Sequence, residues 1–183
     1  AGCEMIMTSF NTVDGIPSTG NKWLMNDVLR EEWGFDGVVI TDYAAIAELV
    51  LHGAAEDQKE AARLAMEAGV DIDMCTGCYA NYLEELLKEG KIDEGMLDKA
   101  VMRILRLKNK LGLFEDPYRF LSDERAESEI YTESNRAEAR KIATETFVLL
   151  KNENQLLPLQ RKGKIALIGP LGNTRTQMQG TWA

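Results

Sequence analysis

Short apolar runs alternate with longer amphipathic ones along residues 4–112, and each kind predicts its own element. "EMIMTSF" (4–10) reads as a buried strand, followed by the turn-rich "NTVDGIPSTG" (11–20). Ser18 or Thr19 is expected to cap a helix through "NKWLMNDVLREEW" (21–33), where Trp23, Leu24, Val28 and Leu29 recur at helical spacing. Gly34 ends that helix. "GVVIT" (37–41) is short, β-branched and uniformly apolar, as strands covered on both faces are. An alanine-rich helix follows, then a helix over "EDQKEAARLAMEAG" (56–69) and a strand over "VDIDM" (70–74). "YLEELLKEG" (82–90) and "IDEGMLDKAVMRILRLKNKLG" (92–112) predict two more helices, each stopped by glycine. Five-residue strands alternating with helices imply crossover connections and a parallel sheet. Three such units do not close a barrel, but they fit the last three of eight.

After Leu113 the pattern changes. "FEDPYRFLSDERAESEIYTES" is polar, contains a proline and has no sustained period, so it reads as a linker. From about Ser134 an amphipathic helix is expected through "AEARKIATETFVLLKNE", closed by "NQLLPL". "KIALIGPLGN" (164–173) predicts a strand and glycine turn opening a second α/β domain. The expected division is 1–114 for the C-terminal part of a (β/α)8-type barrel, 115–133 for an interdomain linker, and 134–183 for the start of an α/β sandwich domain.

Composition changes this picture little: 183 residues, 45% hydrophobic and 28% charged, are ordinary for a globular protein. The net charge of -9 argues against nucleic acid or an anionic membrane as partner. A carbohydrate or other neutral ligand is compatible with it. No apolar run approaches the roughly 18 residues that span a bilayer. "AGCEMIMTSF" has neither the basic start nor the long apolar centre of a signal peptide, and the chain reads as a piece of something longer. Of the three cysteines, Cys75 and Cys78 form a "CTGC" spacing that suits a redox pair or half a zinc site. Zinc would need Cys3 and the single His52 as well, so buried or semi-buried thiols are the simpler reading, with no metal and no cofactor expected.

Asp42 leads the candidates for chemistry. Function in parallel α/β barrels gathers at the carboxyl ends of the strands, and Asp42 ends "GVVIT". Aspartate is also among the best N-caps, and "DYAAIAEL" looks like a capped helix start, so both readings stand on pattern alone. Asp71 and Asp73 alternate along one strand face, where a buried carboxylate needs partners and a polar network is expected. Asp14 in "VDGIP" is a turn residue, and His52 a loop or helix-end residue. "IGPLGN" has neither GxGxxG nor a following Lys-Ser/Thr and reads as an ordinary turn. Trp23, Trp33 and Phe35 are expected mainly in the core. Tyr43 divides between packing and stacking on a sugar face.

The segments "MTSFNTVDGIPSTGNKWLMNDVLREEWGFDGVVITDY", "AGVDIDM", "GLFEDPY", "EARKIATETFVLLKNENQLLPL" and "KIALIGPLG" resemble family 3 glycoside hydrolases, bacterial periplasmic-type β-glucosidases above all. They come in the family's order and cover nearly all of the chain. The resemblance implies a (β/α)8-type barrel, a linker and an α/β sandwich. "EMIMTSF", "GVVIT" and "VDIDM" would be about strands 6–8.

Asp42 matches the family's catalytic nucleophile, with Tyr43 and Phe10 as substrate-binding neighbours. Where many members have Ser-Asp-Trp, this chain has Thr41-Asp42-Tyr43, and Phe10 stands where tyrosine is frequent; both changes bear on the sugar subsite. A retaining glycosidase attacks the anomeric carbon with an ionised carboxylate while a second acid protonates the leaving oxygen, the two carboxyls being about 5–5.5 Å apart. The family's upstream sugar-binding residues and its general acid/base would lie outside this chain.

The implied substrate is a β-glucoside or oligosaccharide, with β-xylosides or other β-glycosides as the alternative within the family. A non-catalytic carbohydrate-binding relative and a phosphate-handling barrel enzyme are the competing classes; the latter wants a glycine-rich loop that "DMCTGC" does not supply. The resemblance suggests a periplasmic or secreted setting, with a cytoplasmic one left open by the sequence. Open sheet edges and bared barrel interior are expected to favour association, with the missing parts of the same enzyme or with another copy.

Overall fold

The computed structural model describes residues 2–176, which divide into two compact units, Ala1–Ser122 and Asp123–Ala183. The first is built on a parallel core. Strand β1 (Met5–Met7) pairs in parallel with β4 (Val38–Ile40), with Met5 opposite Val38 and Met7 opposite Ile40. Ile72 adds a parallel bridge to Ile40. The expected third strand is therefore a single bridge, extended by the bonds from Asp71 N–H and Ile72 N–H to Val39 O and from Thr41 N–H to Ile72 O. Gly37 permits the approach of β1: a Cβ there would lie 2.4 Å from Glu4 O.

The turn-rich segment folds into a hairpin of β2 (Thr12–Val13) and β3 (Ile16–Pro17). Its two central residues, Asp14 and Gly15, both have positive φ, as the tightest hairpin turn requires. A 3₁₀ turn at Ser18–Gly20 leads into the helix Trp23–Glu32. This helix is π-wound, and Trp33 N–H reaches back to Val28 O at 3.0 Å. The expected cap is corrected here: Asn21 Oδ1 accepts from Leu24 N–H at 3.0 Å. Ser18 Oγ is committed to Ser9 Oγ and Asn11 O, and Thr19 Oγ1 to Thr8 Oγ1.

Four helices complete the unit: α1 (Ala45–Leu51), α2 (Gln58–Glu67), α3 (Cys78–Lys88) and α4 (Glu94–Lys110). Asp57 and Asp93 cap α2 and α4, accepting from Glu60 N–H at 2.8 Å and Met96 N–H at 3.0 Å. Val39, Ile46, Leu49, Ala61, Ala62, Ala65 and Val70 form the buried centre. Alanine on α2 lets that helix lie close against α1 and α3.

Two groups of expected core residues lie elsewhere. Met5 and Met7 are exposed because β1 pairs on one side with β4 and no described residue covers its outer positions. Trp23 and Trp33 are 56% and 70% exposed, since the buried stripe of their helix runs through Met25 and Leu29; Phe35 packs against the core. No helix among the described residues is long and apolar enough to cross a membrane.

The second unit carries α5 (Asp123–Glu129) and α6 (Glu133–Glu145), both without buried residues. The first falls inside the expected linker. The second ends at Glu145, short of the expected Glu153. The strand expected at "KIALIGPLGN" is absent among the described residues; Ile165, Leu167 and Ile168 are exposed. A strand exists only where a neighbour bonds its N–H and C=O groups, and no described segment does so here. The "IGPLGN" turn is present, with Gly172 N–H on Gly169 O at 3.2 Å.

Candidate active site

Parallel pairing places the residues that follow β1, β4 and Ile72 at one end of the sheet. Phe10 follows β1, Asp42 and Tyr43 follow β4, and Asp73 to Cys75 follow Ile72. The sequence candidates thus share the carboxyl ends of adjacent parallel strands, where α/β barrels concentrate chemistry. Phe10 and Tyr43 are 39% and 53% exposed.

Asp42 is half-buried. Its Oδ1 accepts the N–H of Tyr43 at 2.6 Å, and its carbonyl accepts from Ala45 N–H at 3.2 Å. The capping reading is corrected by this geometry: the N-cap of α1 is Ala44, with φ 58 and no side-chain cap bond, so the Asp42 carboxylate is not committed to the first turn. Two non-glycine residues flank this end in the left-handed region, Ala44 and Cys75 (φ 65). Such conformations cost of order 1–3 kcal/mol and persist where the surrounding structure over-determines them.

That determination is visible around Asp42. Thr41 is fully buried; its N–H donates to Ile72 O at 3.0 Å and its Oγ1 accepts Met74 N–H at 2.8 Å. Ala44 N–H donates to Met74 O at 3.0 Å. The Met74 backbone therefore grips the chain on both sides of Asp42. Sequence reasoning missed this contact, although a hydroxyl closing an otherwise apolar strand was a signal for it.

Asp73 Oδ1 accepts the Thr76 hydroxyl and Oδ2 accepts Tyr79 N–H at 3.2 Å, which shapes the turn before α3. Cys75 is exposed and Cys78 buried, both as thiols, and burial pushes the Cys78 thiol up from its ordinary range. His52 ends α1, as expected.

Asp71 sits at the start of its strand segment, with its side chain 1% exposed. Oδ2 accepts from Arg30 Nη2 at 2.9 Å and from Val39 N–H at 2.8 Å, and Oδ1 from Arg103 Nη1 at 2.8 Å. Arg30 also donates to Gly37 O at 3.1 Å and Gly69 O at 2.7 Å. Its Nε is buried without a hydrogen-bond partner. Burial pushes the Arg30 guanidinium below its ordinary range, with Asp71 pulling the other way. This is the polar network expected of Asp71, and it satisfies a β4 N–H that the sheet leaves open.

Parallel strand segments with a half-buried carboxylate beyond their carboxyl ends are an arrangement at which α/β enzymes gather chemistry. The chain belongs to glycosyl hydrolase family 3: residues 1–107 match that family's N-terminal domain, which is of the TIM-barrel type. It is 42% identical over 190 residues to a periplasmic β-glucosidase of Salmonella typhimurium, covering 100% of this chain and 24% of that protein. A probable exo-1,4-β-xylosidase of Aspergillus terreus is 35% identical over 190 residues, again with 100% of this chain and 24% of that one. The crystal structure of a β-glucosidase from Listeria innocua in complex with glucose matches with a TM-score of 0.79 and 54% identity, covering 94% of this chain and 24% of that chain. The chain spans about a quarter of the length of these relatives.

Proposed function

We propose that this chain is part of a retaining exo-β-glycosidase, a β-glucosidase by preference, in which Asp42 is the nucleophile. Its three parallel segments then serve as about strands 6–8 of a (β/α)8-type barrel, followed by a linker and the start of an α/β sandwich. The observation that carries the reading is the stationing of Asp42: half-buried, at the carboxyl end of β4, and free of the capping role its sequence position offers. Relatives named β-glucosidases, one with bound glucose and one periplasmic, support the substrate and a periplasmic or secreted setting.

In this mechanism an Asp42 oxygen attacks the anomeric carbon, the glycosidic C–O bond breaks, and a second carboxyl group protonates the departing oxygen. Water then attacks the glycosyl-enzyme and regenerates the carboxylate with overall retention. Tyr43, beside the nucleophile, offers an aromatic face and hydroxyl to the sugar, and Phe10 offers an aromatic face from the neighbouring strand. The acid/base and the remaining sugar contacts come from other parts of the enzyme.

The test is trapping of the full-length enzyme with an activated 2-fluoro β-glucoside, followed by peptide mass spectrometry. The label is expected on Asp42, and Asp42→Asn is expected to lower turnover at least about ten-thousand-fold. A label on another residue overturns the assignment. The isolated chain is expected to show negligible turnover of an aryl β-glucoside; a clean preparation working at ordinary enzymatic rates refutes that.

The names of the relatives also bring forward a β-xylosidase reading. Comparing kcat/KM for aryl β-glucoside and β-xyloside on the full-length enzyme decides between them.

A further inference from the structure

We infer that Thr41 is the positioning residue of Asp42, acting through the Met74 backbone; this rests on the assignment of Asp42 as nucleophile. Among the described residues, Asp42 has no long-range bond of its own that would set its backbone. Its Oδ1 bond to Tyr43 N–H is made within its own loop. What places the loop is the pair of contacts on either side. Before Asp42, the Thr41 hydroxyl receives Met74 N–H; after it, Ala44 N–H binds Met74 O at 3.0 Å.

The Met74 backbone, just beyond the Ile72 bridge, thus holds both ends of the four-residue arc from Thr41 to Ala44. Thr41 is 0% exposed, so water does not compete for its hydroxyl. Ala44 stays in the left-handed region at φ 58, a conformation an alanine holds only under external constraint.

The bond at Thr41 is also the one an ordinary strand lacks. Thr41 N–H already pairs with Ile72 O in the parallel ladder. The side-chain bond to Met74 then extends the pairing by one residue after the strands themselves have ended. Valine has the same shape and lacks the hydroxyl, so Thr41→Val leaves Met74 N–H unpaired in a half-buried place and frees the Asp42 arc to shift. Displacements of about 1 Å at a reacting group cost on the order of a hundredfold in rate.

The experiment uses the full-length enzyme and its Thr41→Val and Thr41→Ser variants. The rate constant for trapping by an activated 2-fluoro β-glucoside and the steady-state kcat and KM are measured. Thr41→Val is expected to trap and turn over about 10- to 100-fold more slowly, with KM changed less than about threefold. Thr41→Ser, which keeps the hydroxyl, is expected within about threefold of the parent. If Thr41→Val does not fold, Thr41→Cys, a similar shape with a weak acceptor, takes its place.

Parent-like trapping by Thr41→Val, or a serine variant as slow as valine, overturns the positioning role while a label on Asp42 leaves the nucleophile in place. A label elsewhere in the parent enzyme overturns both.

Discussion

Asp71 keeps 1% of its side chain exposed and accepts three N–H donors, while Asp42 stays half-buried beside the N–H of its neighbour. The first pattern is that of a structural charge, because a buried carboxylate is tolerable only when paired and hydrogen-bonded. Replacing it leaves Arg30 buried and uncompensated, so Asp71→Asn is expected to destabilise the chain by about 3–5 kcal/mol, read from urea unfolding. Tyr79 gives a pH test. Its hydroxyl reaches inward to Val70 O at 2.9 Å, and burial, followed by the charges of Asp71 and Asp73, raises its phenol well above the ordinary range. A raised phenol is neutral in the folded chain while the unfolded one ionises. Stability is thus intact below the unfolded value of about 10 and is lost as pH climbs from there toward the folded value. Unfolding free energies measured across the alkaline range are expected to fall, and Tyr79→Phe to flatten that fall.

At the scale of elements, the helices over 56–69 and 92–112 were legible from their spacing, but their caps were not singled out, although donor and acceptor lie within one turn. Asp57 and Asp93 take N–H groups three residues on, and Asp57→Ala or Asp93→Ala is expected to cost about 1 kcal/mol, checked by thermal unfolding. Ser18 and Thr19 were singled out as caps and serve otherwise, because Ser9 and Thr8 of the preceding segment claim their hydroxyls. The winding of Trp23–Glu32 was not legible, since apolar spacing over ten residues does not separate bonds to the fourth residue from bonds to the fifth. Strand lengths shrank for a related reason. An apolar run states that a segment prefers burial, but its pairing partner decides how much of it becomes strand.

At the scale of the whole molecule, large apolar side chains remain outside the core of the first unit: Met5, Met7, Trp23, Trp33, Val101 and Met102. Such surface is costly in water, and β1 offers an edge as well. The isolated chain is expected to self-associate, seen as a sedimentation mass that grows with concentration. A monomer at all accessible concentrations contradicts this.

The amino-acid order alone settled what depends on near neighbours: the helices α2 and α4, the turn at Asp14 and Gly15, and an acidic residue at the close of an apolar strand. Motif resemblance added the family, because "LREEWGFDGVVITDY" is long and specific. Folding in three dimensions decided the rest. It joined Arg30 and Arg103 to Asp71, turned Trp23 and Trp33 outward, and clasped the Asp42 loop with the Met74 backbone. Those partners stand dozens of residues apart along the chain, and the free energy of burial and pairing belongs to the contact, not to either residue read singly.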